Sequence, residues 1–272
     1  MAHFCFQNGN FLPQSEAKLE ITNLAFTRGY GAFELFRTYE FTPFFLKEHL
    51  ARFQNSANVL GLHYPKSVEL VIERLLKKNN TPNLVFRLYL SEDESGESQF
   101  IVLCDPITLP PESQYERGIP IITTNLTRHF HEIKSTCYLA ALVSLKEAAK
   151  KGAEDALFKN SKGELLELTK SNFFAVIDGI LRTPKEGILF GITRSIVLEL
   201  ANKLDLEILE GPIEEREIPR IEEAFCTSTI REILPLSKID THTIPLGPIT
   251  RKLQAAFRAE LAIKFNCVLM KS

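Results

Sequence analysis

Apolar and polar positions along the chain switch between two periods, and the switches mark out the elements. Residues 4–11 (FCFQNGNF) are apolar around an Asn-Gly pair, the signal of a tight hairpin. Residues 31–39 (GAFELFRTY) are aromatic and β-rich. Residues 47–60 and 67–78 carry apolar side chains at helical spacing. Residues 84–90 (LVFRLYL) and 100–104 (FIVLC) read as strands around a polar loop, SEDESGES. Prolines 106, 110 and 111 make residues 105–115 the best linker candidate. Beyond it, IPIITTNL (119–126) reads as a strand, and residues 136–151 as a helix that stops at Gly152. Four short strands are expected at 156–159, 164–168, 172–177 and 180–183, the last two joined by an Asp178-Gly179 turn. A helix over 193–204, strands over 207–210 and 221–225, and a helix over 248–265 complete the pattern. Strands and helices mix without strict βαβ alternation. The expected class is α/β (α+β), with two mixed domains at 1–109 and 119–272 joined by a linker at 110–118.

Composition narrows the function without naming it. The 272 residues are 44% hydrophobic and 24% charged, enough for one large or two medium domains. Net charge is −2 and no basic block exceeds two residues, so neither nucleic acid nor an anionic membrane surface is an expected partner. No apolar run reaches membrane-spanning length, and MAHFCFQNGN has no signal-peptide layout. Five scattered cysteines (5, 104, 137, 226 and 267) without CxxC spacing read as reduced thiols of a cytoplasmic protein. His129 and His131 share one face if their segment is extended, but no third ligand is suitably spaced, so no metal is expected.

Candidate chemistry centres on Lys134, between an expected strand and an expected helix. The positive end of a helix dipole favours the neutral amine, the form that attacks carbonyls. Gly191-Ile192-Thr193-Arg194 opens a periodic helix, offering the Ile192 and Thr193 N–H groups and a hydroxyl to a phosphate; a plain threonine cap is the alternative. Thr227-Ser228-Thr229 ends a short strand, where the Thr229 hydroxyl could line the same anion or a solvated turn. Arg52 lies beside an apolar helix face, placed to reach inward, or else to pair with Glu48. Glu167 sits in an otherwise apolar strand, where burial requires a partner such as a protonated pyridine nitrogen; an exposed strand glutamate is the alternative.

In this order and spacing the segments resemble the fold-type IV pyridoxal-phosphate enzymes, over nearly the whole chain. That family includes branched-chain aminotransferases, D-amino-acid aminotransferases and aminodeoxychorismate lyases. RGYGAFE (28–34) resembles the glycine-aromatic-glutamate segment, and KEHLARF (47–53) the helix whose arginine binds the cofactor phosphate. Ile133-Lys134-Ser135 resembles the Schiff-base lysine motif. Glu167, with Ser171-Asn172-Phe173-Phe174 after it, resembles the pyridine partner, and Gly191–Arg194 the phosphate loop. The resemblance implies pyridoxal 5'-phosphate as cofactor and Lys134 as the catalytic residue. It puts Tyr138 near the cofactor's phenolic oxygen. Phe33 falls where D-amino-acid enzymes often carry tyrosine, and Arg87 retains the arginine of a Tyr-x-Arg strand. Arg231, beside Ile230, is unusually large for the second phosphate segment. Phe33, Arg87, Ile230 and Arg231 are thus the expected substrate contacts. The implied activity is amino-group transfer between an amino acid and a 2-oxo acid, in a cytoplasmic homodimer with its site between domains. The alternative is release of pyruvate and 4-aminobenzoate from aminodeoxychorismate. A more remote one is a cofactor-binding protein without catalysis.

Overall fold

The computed structural model describes residues 3–265; Cys267 lies outside them. The chain forms two compact units, one of Met1–Thr108 with Ile133–Tyr138, the other of Leu109–Glu132 with Leu139–Ser272. The segment bearing Lys134 therefore belongs with the N-terminal unit, whereas the sequence assigns it to the C-terminal domain.

In the first unit β1 (Phe4–Gln7) and β2 (Asn10–Pro13) form the expected hairpin, with Asn8 and Gly9 both at positive φ. There follow α1 (Leu24–Arg28), β3 (Gly31–Tyr39), β4 (Thr42–Pro43), α2 (Leu46–Val59), α3 (Val68–Asn79), β5 (Leu84–Glu92) and β6 (Ser98–Pro106). The strands make one antiparallel sheet in the order β2-β1-β6-β5-β3-β4. β5 shows why the two faces differ. Leu84, Phe86, Leu88 and Leu90 are fully buried, while Val85, Arg87 and Tyr89 between them are half-buried. The buried row joins Phe36, Phe53, Ile72 and Leu75 in the core under α2 and α3. Phe36 and Phe86 stack there with centroids 4.9 Å apart. The other face holds Phe33, Leu35, Arg87, Tyr89, Leu103 and Asp105, since directly paired residues project to the same side.

The second unit opens with α4 (Glu112–Arg117), a helix inside the segment expected to be a linker. Pro111 precedes it in extended conformation, where a missing N–H costs nothing, and Gly118 ends it at φ 74°. Then come β7 (Ile119–Thr124), α5 (Leu139–Lys150), β8 (Asp155–Lys159), β9 (Glu164–Leu168), β10 (Asn172–Ile177), β11 (Ile180–Thr183) and α6 (Ile192–Lys203). The chain continues through β12 (Ile208–Glu210), β13 (Ile213–Glu214), β14 (Glu223–Ser228), β15 (Glu232–Ile239), β16 (His242–Thr243) and α7 (Pro248–Phe265). The strands run β12-β11-β10-β14-β15-β7-β8-β9-β13, and a further β9–β10 pairing closes the central six into a ring. Leu157, Leu168, Phe173, Cys226 and Leu234 belong to the main core of this unit. No helix among the described residues is long and apolar enough to cross a membrane.

Candidate active site

The Lys134 segment is held by the backbone rather than by a helix. Phe33 N–H donates to the Lys134 carbonyl and Thr136 N–H to the Gly31 carbonyl, both at 2.8 Å, and Ala32 bridges Ser135. These bonds add residues 134–136 to the edge of β3. They use backbone groups that a helix would need, so α5 starts at Leu139 and not at 136. Ser56 Oγ accepts from Lys134 N–H at 3.0 Å and donates to the Arg52 carbonyl at 3.0 Å, tying the lysine to α2. The Lys134 amine lies 4.7 Å from the centroid of the Phe33 ring. That ring stacks against Tyr89 at 6.3 Å and meets Tyr138 edge-on at 6.0 Å. Lys134, Phe33, Tyr89 and Tyr138 thus form one aromatic-walled cluster.

Arg52 reaches inward, to Glu34. Its Nε and Nη2 donate to the two oxygens of Glu34 at 2.9 and 2.7 Å, a bidentate fork on a fully buried carboxylate. His49 Nδ1 lies 3.2 Å from the same carboxylate. Burial alone would raise the Glu34 carboxyl, but the Arg52 charge and the hydrogen bonds from His49 and Arg52 hold it well below the usual carboxylate range. Burial, the largest influence on His49, lowers that imidazole, which stays neutral.

The second unit carries a separate group of polar residues. Glu167 is buried, and its partners are specific: Arg128 at 3.2 Å, the Leu189 N–H at 3.2 Å and, at 3.5 Å, Asn172 Nδ2. Asn172 is Glu167's partner across the β9–β10 pairing and Thr227's across β10–β14, which sets three polar residues side by side on adjacent strands. The amide of Asn172 also donates to the Leu189 carbonyl, and its oxygen packs against Gly191 so tightly that a Cβ there would sit 2.1 Å away. Gly191 has φ −77°, open to any residue, so it is glycine because of this close approach. It caps α6 with no side-chain hydrogen bond, leaving the first N–H groups, Ile192 and Thr193 included, without a side-chain cap. Among the described residues, Thr193 Oγ1 and Thr227 Oγ1 are buried with no hydrogen-bond partner. Buried hydroxyls of this kind are costly unless something accepts or donates there. A helix N-terminus, two such hydroxyls and a glycine-tight approach are the features that fit a phosphate group.

Two expected substrate contacts are already engaged. Arg231 turns its guanidinium onto the fully buried Asp155, with Ser171 Oγ at 3.4 Å, so its role as a carboxylate anchor gives way to an internal ion pair. Asp155 also accepts from Thr169 Oγ1 at 2.5 Å and from the Ala156 N–H at 2.8 Å. Arg87 pairs with Asp105. Thr229 and Ile230 are half-buried in the turn between β14 and β15, while Thr227, inside β14, has the unsatisfied hydroxyl. The sequence reading gives Glu34 only as part of the glycine-aromatic-glutamate segment and assigns no role to His49, Arg128 or Asp155. For Glu34, His49 and Asp155 the local signal is a polar residue at a core-facing position of a strand or helix; Arg128, in the loop after β7, has none.

The profile of the family described as "Amino-transferase class IV" matches residues 31–239. The chain is 31% identical to a putative branched-chain-amino-acid aminotransferase of Methanocaldococcus jannaschii, over 93% of this chain and 94% of that one. It is 29% identical to a D-alanine aminotransferase of Staphylococcus epidermidis, over 93% and 95%. Among solved structures it resembles the branched-chain aminotransferase of Thermoproteus uzoniensis crystallised with norvaline, at a TM-score of 0.89 and 26% identity, over 97% and 96% of the two chains.

Proposed function

The chain belongs to the class IV aminotransferase family, and from that premise we propose that it moves an amino group between an amino acid and a 2-oxo acid, using pyridoxal 5'-phosphate bound by the residues just described. The observation that carries the reading is the backbone clamp on Lys134, which holds one amine against an aromatic wall. Pyridoxal phosphate, when bound, supplies an aldehyde for amines and an electron sink for a carbanion at Cα. Lys134 is the residue that would hold the cofactor, and its amine would remove and return the proton at Cα. Thr193 Oγ1, Thr227 Oγ1 and the N–H groups of Ile192 and Thr193 would hold the phosphate. Glu167 would accept a hydrogen bond from the ring nitrogen, its carboxylate held in place by Arg128 at 3.2 Å. Tyr138, edge-on to Phe33, would meet the phenolic edge of the ring.

The same proposal makes the enzyme a homodimer acting in the cytoplasm. Cys5, Cys104, Cys137 and Cys226 are all free thiols, which supports a reducing compartment. Leu139, Leu142 and Val143, exposed at i, i+3 and i+4 of α5, support a covered apolar face.

A half-reaction panel tests the reading. Purified protein is mixed with L- and D-amino acids and, separately, with aminodeoxychorismate. Transfer predicts loss of the yellow aldehyde form of the cofactor with an amino acid, and borohydride treatment beforehand should fix the cofactor on Lys134. Lys134→Ala should keep its circular dichroism and lose turnover by at least ~10³-fold, since the covalent anchor and the proton carrier vanish together. Pyruvate release from aminodeoxychorismate without loss of the aldehyde form would replace transfer with elimination.

A further inference from the structure

One face of the first unit's sheet leads from Lys134 to an ion pair that the reaction does not use. Phe33 on β3 is directly opposite Tyr89 on β5, and Leu35 is opposite Arg87, so all four side chains share a face. Lys134 Nζ stands over Phe33 at one end of this strip. Arg87 lies two residues beyond Tyr89, about 7 Å further along the strand. On the next strand Leu103 is opposite Arg87 and Asp105 is opposite Val85, which places the Asp105 carboxylate diagonally against Arg87. The two side chains form an ion pair, and both remain partly open, at 37% and 28% exposure. Gln14 Nε2 donates to the other Asp105 oxygen at 3.3 Å, so the carboxylate is held from behind. Arg87 Nε is buried without a hydrogen-bond partner among the described residues, so the guanidinium is directed by Asp105 rather than satisfied all round. The pair is also felt along the strip: burial raises the Tyr89 hydroxyl, with Arg87 opposing and Asp105 adding to the shift.

We propose that Asp105 is a specificity-determining residue: by occupying Arg87 at the far end of the Phe33–Leu35–Tyr89 strip, it closes that end to a second carboxylate and selects monocarboxylic amino and oxo acids with apolar side chains. A substrate whose reacting carbon is at Lys134 lays its side chain over Phe33, Tyr89 and Leu35, which suits an aliphatic or aromatic group. A dicarboxylic substrate of glutamate length would bring its distal carboxylate toward Arg87 and meet Asp105, a fixed like charge. The arginine alone would attract that carboxylate; with its aspartate it does not. The inference rests on the proposed reaction for its substrate class, but its test needs no turnover.

The cofactor-loaded protein is titrated calorimetrically with glutarate and with 4-methylpentanoate, one dicarboxylic and one apolar monocarboxylic probe. Wild type should bind 4-methylpentanoate at least tenfold more tightly than glutarate. Asp105→Asn, which removes the charge and keeps the shape, should tighten glutarate at least tenfold relative to 4-methylpentanoate. That gain should vanish in Asp105→Asn combined with Arg87→Leu. The idea is overturned if wild type already prefers glutarate, a result no misfolded variant can obscure. A ratio that stays within twofold in Asp105→Asn, or a gain that survives loss of Arg87, overturns it as well. Failure of the half-reaction panel together with the expected titration would sink amino-group transfer and leave the charge filter standing.

Discussion

At the scale of single residues, the buried Glu34–His49–Arg52 cluster gives folding a pH dependence. Glu34 is fully buried and its carboxyl is depressed, so it contributes stability that is complete above the unfolded value of 4.5 and is lost as pH falls below it. His49 is a buried base whose pKa is also depressed. Unfolded chains bind its proton below 6.5 while the folded protein does not, so its contribution too is present above 6.5 and lost as pH falls. Both effects have one sign, but His49 acts first. As pH falls below 6.5, stability should therefore decline, with a slope from His49 that cannot exceed one proton, about 1.4 kcal/mol per pH unit. Urea unfolding at pH 8, 6.5, 5.5 and 5 measures it. His49→Gln should flatten the curve over that interval while leaving the steeper loss below pH 4.5, where Glu34 takes up its proton. An equal slope in the variant would mean that another group carries the acid sensitivity.

At the scale of elements, the tightest constraint lies at the start of α6, where Asn172 and Gly191 touch. Gly191→Ala would place a methyl carbon 2.1 Å from the Asn172 oxygen, so one of them must move. Asn172 is held by the Leu189 carbonyl and by its strand partners Glu167 and Thr227, and displacing it disturbs the row of polar residues proposed to hold the cofactor. The substitution should cost about 1–3 kcal/mol of stability, the range for overpacking. It should also weaken pyridoxal phosphate at least tenfold, as read by equilibrium dialysis; unchanged affinity would separate α6 from the cofactor. This constraint was half legible in the sequence. Glycine before a threonine at a helix start is a local signal, but its cause is a side chain on β10, far upstream. The same division runs through the fold. β3, β9, β10 and β11 match their expected bounds to the residue, because apolar alternation and Gly-bounded turns are local. β15 was missed because Pro235 interrupts it. The proline is tolerated since the parallel pairing with β7 begins only at Leu236, past the missing N–H. The start of α5 was misplaced because residues 134–136 pair with β3, a strand distant in the chain. The Arg128–Glu167 and Arg231–Asp155 pairs, 39 and 76 residues apart, have no sequence signature at all.

At the scale of the whole molecule, the remaining question is what covers the outer face of α5. A helix on a protein surface normally turns its apolar stripe inward, yet here Leu139, Leu142 and Val143 are 71%, 51% and 46% exposed. Ala141, Ser144 and Ala148 form the buried side of the same helix, so the helix is docked and its leucines face out by register. Three large apolar side chains at i, i+3 and i+4 make a continuous stripe, and a charged or polar face would serve a lone chain better. A second copy of the chain, packing its own α5 near a two-fold axis, would bury both stripes with one isologous contact. The protein should therefore sediment at twice the chain mass at micromolar concentration. Leu142→Glu would put a charge at the centre of that contact, where an unpaired buried carboxylate costs several kcal/mol. The variant should sediment as the monomer, its introduced carboxylate solvated and its circular dichroism unchanged. A dimer that persists in Leu142→Glu would locate the interface elsewhere, and a wild-type monomer would leave the α5 stripe as bare surface.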